Sequence, residues 1–118
     1  MIVHVDIWLR GDHHATTQTI ASVPREPAGW TDDDVRALLL GMLDAMHRLK
    51  HPDDERPPTR LRGLSWIVNP YDEGGVVIAI EITMGAAVAG PFDIDKRLLE
   101  EMNHRVLAQP AKTSETVH

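Results

Sequence analysis

The sequence predicts an α+β fold: a two-layer sandwich in the order ββαββα, with a four-stranded antiparallel sheet carrying two helices on one face. Three observations lead there. A pattern occurs twice, in which two β-type runs lead into a Gly/Pro segment, then an aromatic residue, then a capped amphipathic helix. The first copy closes with Ala28-Gly29-Trp30-Thr31 and the second with Gly90-Pro91-Phe92-Asp93. Apolar residues alternate with period two near the N-terminus and again after residue 75, as half-buried strands require. Between and after these runs, apolar residues recur at helical spacing.

The first strand spans residues 2–9. Val3, Val5, Ile7 and Leu9 share one face, and Ile2, His4, Asp6 and Trp8 share the other. Gly11 and Asp12 mark a turn, with His13 and His14 in the same loop. Ala15 opens a Thr-rich, β-branched run that reaches Val23 and stops at Pro24, which reads as the second strand of a hairpin. Thr31 then stands as the N-cap of a helix, with Asp34 three positions on as a shortened capping-box partner. Three aspartates in that first turn complement the positive helix end. Val35, Leu38, Leu39, Met42, Leu43, Met46 and Leu49 carry the helix to about Lys50, where His51-Pro52 ends it.

A polar, proline-rich connection leads to a third strand at residues 61–68. Residues 76–84 form the fourth, with Ile78, Ile80, Ile82 and Met84 alternating against Val77, Ala79, Glu81 and Thr83. Residues 85–90 are small and read as an extension or a bulge of that strand. Asp93 is the expected cap of a second helix opened by Ile94, with Leu98, Leu99, Met102 and Val106 on its apolar arc. The expected core holds Val3, Val5, Ile7, Leu38, Met42, Leu43, Trp66, Ile78, Ile80, Ile82, Leu98 and Met102. One domain covers residues 1–109, and residues 110–118 read as a flexible C-terminal tail.

The chain has 118 residues, no cysteine, and eighteen acidic against twelve basic residues, for a net charge of −6. The charge balance argues against nucleic acid as a partner, because phosphate contacts need clustered Lys and Arg. No apolar run reaches membrane-spanning length, and the first ten residues lack the basic start of a signal peptide. The expectation is a cytoplasmic protein with no membrane partner. Without thiols, disulfides and thiolate chemistry are excluded.

Seven histidines make metal binding the first chemistry to weigh. His4, Asp6, His13 and His14 are the candidates, but zinc needs three or four converging ligands and no H-E-x-x-H motif is present. The expectation is that no metal and no other cofactor is bound. No nucleophile motif and no phosphate-binding glycine loop occurs. If the protein is an enzyme, His4, Asp6 and Glu81 are the first catalytic candidates, because alternation places them with Trp8 on the sheet face away from the helices. The ordinary reading of such a face is a solvated antiparallel sheet.

The leading functional expectation is a non-catalytic protein that acts by association, as a homodimer. Its contact is expected along residues 15–23, which contain no charge and no proline. A small enzyme or ligand-binding domain using the face around His4, Asp6, Trp8 and Glu81 is the first alternative. An acidic inhibitor or immunity-type protein that masks a basic partner is the second.

Overall fold

The computed structural model describes residues 2–20, 26–52, 65–71, 74–83 and 85–108. Its strands are β1 (Val3–Leu9), β2 (Thr16–Ile20), β3 (Ser65–Pro70), β4 (Val76–Ile82) and β5 (Gly85–Phe92). Its helices are α1 (Asp32–Lys50) and α2 (Lys96–Ala108), with a short 3-10 turn at Pro27–Gly29. All five strands lie in one antiparallel sheet in the order β2-β1-β5-β4-β3. Helix α1 packs on β1, β2 and β5, helix α2 packs on β3, and the two helices pack on each other.

The α+β class, the antiparallel sheet and the two helices agree with expectation, but the sheet has five strands and not four. The fifth is Gly85–Phe92, expected only as an extension or bulge, and it occupies the centre of the sheet between β1 and β4. Its small side chains carry no periodic signal of their own. What makes it a strand is pairing on both edges, with Ile7 opposite Ala87 on one side and Ile80 opposite Ala87 on the other.

The glycines at the ends of β5 explain why larger residues are missing there. Gly85 has φ +157°, and a Cβ at this position would collide with the Trp8 carbonyl oxygen. Gly90 has φ +122°, and a Cβ there would lie 2.8 Å from the Val76 carbonyl oxygen. Between the pairs Val76–Phe92 and Ile78–Ala89, β5 carries one residue more than β4, which is a β-bulge. The bulge shifts the alternation, so Ala87 and Ala89 face the helices and so does Phe92. Phe92 then meets Trp30 edge to face, with ring centroids 4.9 Å apart. The aromatic residues of the two repeated segments therefore pack against each other, a geometry that adds about 0.5–1.5 kcal/mol beyond area burial.

Helix α1 starts and stops where its residues dictate. The Asp34 amide donates to Thr31 Oγ1 and the Thr31 amide donates to Asp34 Oδ2, a complete capping box. Asp32, Asp33 and Asp34 sit in its first turn and His47, Arg48 and Lys50 in its last, both favourable to the helix dipole. Helix α2 differs from expectation. It begins at Lys96 and is capped by Asp95, whose Oδ2 accepts from the Leu98 amide, so neither Asp93 nor Ile94 opens it. That start sets the buried arc to Leu99, Met102, Asn103, Val106 and Leu107, and leaves Leu98 40% exposed.

Nine of the twelve expected core residues are buried, among them Val3, Val5, Ile7, Leu38, Ile78 and Ile80. Trp66 and Ile82 are half-buried, because β3 is an edge strand and Ile82 is the last residue of β4. One polar side chain is fully enclosed in that core: Asn103 is 0% exposed, and neither its Nδ2 nor its Oδ1 has a hydrogen-bond partner among the described residues. Residues 21–23 and 61–64, expected to lie in strands, and the expected tail 110–118 fall outside the described residues.

Candidate functional site

Both helices lie on the sheet face built by Val3, Val5 and Ile7, which are buried. Alternation along β1 therefore turns His4, Asp6 and Trp8 to the face away from the helices. The same rule, carried through the pairing register, assembles that face row by row. One row runs Thr17, Asp6, Val88, Ala79 and Ile67 across all five strands. The next runs Trp8, Ala86, Glu81 and Ser65. His4 lies opposite Thr19.

The four candidate residues thus share a face but do not converge. Glu81 falls in the row of Trp8, two strands across from β1 and four residues along it from His4. With strands about 4.8 Å apart and about 3.3 Å per residue, the His4 and Glu81 Cα atoms are about 16 Å apart and those of Asp6 and Glu81 about 12 Å. Direct proton exchange needs heavy atoms at about 3 Å, or one water between them. The partners of His4 and Asp6 are instead on β2. Thr17 Oγ1 donates to Asp6 Oδ1 at 2.6 Å, and Thr19 Oγ1 lies 3.3 Å from His4 Nδ1. The reading of single residues missed these two threonines. Their spacing of two within a Thr-rich strand was the available signal.

His13 and His14 are exposed in the turn after β1, where Asp12 Oδ2 accepts from the Leu9 amide and the Asp12 amide donates to the Leu9 carbonyl. Among the described residues, no three His, Asp or Glu side chains gather as a metal-holding group. Arg10 is engaged elsewhere, donating from Nε to the Thr83 carbonyl at 2.9 Å and so tying the β1–β2 turn to the β4–β5 turn.

On the helical side, a shallow hollow of about 340 Å³ lies between α2 and Trp66, lined by Arg97, Glu100, Glu101, His104 and Arg105. Two of its charges are already paired. Arg105 makes a two-pronged contact with Asp32 at 2.8 and 2.9 Å, joining the end of α2 to the start of α1. Glu100 accepts from Lys96 at 3.0 Å. The hydrogen bonds from Arg105 hold the Asp32 carboxyl below the ordinary carboxylate range; burial opposes them, and the charges of Arg105 and Arg36 add to the lowering. The hollow lies on the opposite side of the sheet from His4, Asp6 and Glu81, so it supplies no shelter for them. Among the described residues, no helix is long and apolar enough to cross a membrane. No protein-family model, curated protein or solved structure matches this chain.

Proposed function

We propose that this protein acts by association, as a homodimer without catalytic activity, and that two copies meet edge to edge through β2. One observation carries the reading. Strand β2 lies at the outer edge of the sheet, no strand pairs with its outer side among the described residues, and Thr16–Ile20 contains neither charge nor proline. Sheet edges normally carry lysine, proline or a bulge, because a free row of N–H and C=O groups is a template for another strand. The opposite edge, β3, ends in Pro70. The separation of His4 and Asp6 from Glu81 supports the non-catalytic half of the proposal, since no proton can pass directly between them.

A contact built on one short strand is small, and interfaces below about 1,200 Å² are typically weak and concentration-dependent. The test is multi-angle light scattering, with sedimentation equilibrium, from low to high micromolar protein. A mass that rises to twice the monomer is expected. Monomer alone throughout that range would overturn the proposal.

A further inference from the structure

We infer that β2 pairs with β2 of a second copy about a two-fold axis through Gln18, and that this register joins His4 of one protomer to Asp6 of the other through a row of threonine hydroxyls. The inference rests on the homodimer reading and specifies its contact. It starts from parity. An axis perpendicular to the sheet keeps the helices of both copies on one side, so residues that meet across it must share a face. The axis must then pass through a residue and not between two. Gln18 is the middle of Thr16–Ile20, and only an axis there pairs the whole strand. An axis through Thr17 sets Ile20 against His14 in the turn before β2, and one through Thr19 sets Thr16 against Ser22, outside the described residues.

With the axis at Gln18, Thr16 meets the partner's Ile20 on the helix side, and Gln18 meets the partner's Gln18, whose amide both donates and accepts. On the open side Thr17 meets the partner's Thr19. Directly opposed residues have Cβ atoms about 4.5–5.5 Å apart, within reach of a hydroxyl–hydroxyl hydrogen bond, and Thr–Thr pairs are favourable cross-strand neighbours.

The hydrogen bonds already present give this row a direction. Thr17 donates its proton to Asp6, which leaves its oxygen lone pairs free to accept. His4 Nδ1 lies beside Thr19 Oγ1, and in the tautomer that carries a proton on Nδ1 it donates there, leaving the Thr19 proton free. The completed row runs from the partner's His4 to the partner's Thr19, then to Thr17, then to Asp6, with each hydroxyl accepting once and donating once. The two-fold axis generates the same row in reverse. A ring N–H donor at one end and a carboxylate acceptor at the other make the two edges complementary in hydrogen bonding. The histidine and aspartate that most resemble a catalytic pair are, in this reading, the two ends of an interface.

The chain lacks cysteine, so each single-cysteine variant carries one thiol per protomer. Cysteines are placed singly at positions 16 to 20, and at Ser65 on the opposite edge, and oxidised with copper–phenanthroline at a concentration where light scattering reports dimer. Opposed residues of an antiparallel pair have Cα atoms about 4.5 or 5.5 Å apart, and both fit a disulfide. Gln18→Cys should cross-link fastest, while Thr16→Cys, about 14 Å from its own copy in this register, should not. A maximum at position 17 or 19 overturns the register. Dimers that cross-link at Ser65→Cys and at none of positions 16 to 20 overturn the edge while leaving the homodimer intact, and monomer throughout overturns both. The row is tested separately with Thr17→Val and Thr19→Val together, which keep the β-branched shape. Dimerisation should weaken about tenfold or more, and an unchanged dissociation constant would overturn the hydroxyl row.

Discussion

Replacing Asn103 with leucine should make this protein more stable. Asn103 is 0% exposed, and its Nδ2 and Oδ1 are both without a hydrogen-bond partner among the described residues. Leaving a buried polar group unsatisfied costs about 1–3 kcal/mol, and here two such groups are enclosed. The surroundings suit an apolar side chain, because Leu99 one turn before and Val106 and Leu107 one turn after are all buried. Leucine matches the four side-chain heavy atoms of asparagine but is bulkier, and forcing extra volume into a packed core costs about 1–3 kcal/mol. The net expectation for Asn103→Leu is a gain of about 1–3 kcal/mol. For a chain of this length that is a rise in Tm of about 4–12 °C. Urea denaturation followed by circular dichroism, with calorimetry for Tm, measures it. Asn103→Asp reverses the sign, since a buried carboxylate without a partner is far more costly than an amide. A loss of stability in Asn103→Leu would refute the reasoning, because it would mean that the amide is bonded in the native protein.

Three further outcomes follow from the packing and the ion pairs. Ile80 is 1% exposed at the middle of β4, and Ile80→Ala should lose about 2–5 kcal/mol in denaturant titration; a loss below about 1 kcal/mol would place it outside the core. Gly85→Ala should lose about 1–3 kcal/mol or more by the same measurement, because φ +157° and the Trp8 carbonyl leave no room for a Cβ; a neutral result would mean that β5 does not lie this close to β1. Asp32 has a lowered pKa in the fold, so its pairing with Arg105 contributes in full above about pH 4 and is lost as pH falls through the lowered value. Asp32→Asn should therefore be less stable than wild type at pH 7 and converge with it towards pH 2, as read by thermal unfolding across that range.

The elements that the sequence alone determined are those whose signal is local. Strand β1 shows its face in the alternation of Val3, Val5 and Ile7 against His4, Asp6 and Trp8. Helix α1 carries its start in the Thr31–Asp34 box and its end in His51-Pro52, and the helix runs between them. The placement of His4, Asp6 and Trp8 on the face away from the helices was legible for the same reason. Tertiary structure decided the rest. Residues 85–90 hold little besides glycine and alanine, so nothing in their own periodicity marks a strand; only β1 and β4 closing on both sides make them the centre of the sheet. The start of α2 turned on two aspartates two residues apart. Choosing Asp95 over Asp93 rotates the helix so that Leu99 and not Leu98 enters the core. Glu81 shares a face with His4 by parity, but its distance depends on strand order and register, which inserted β5 between them. Period-two alternation specifies a side of the sheet for each residue, whereas the neighbours on that side are chosen by which strands pair and in what register.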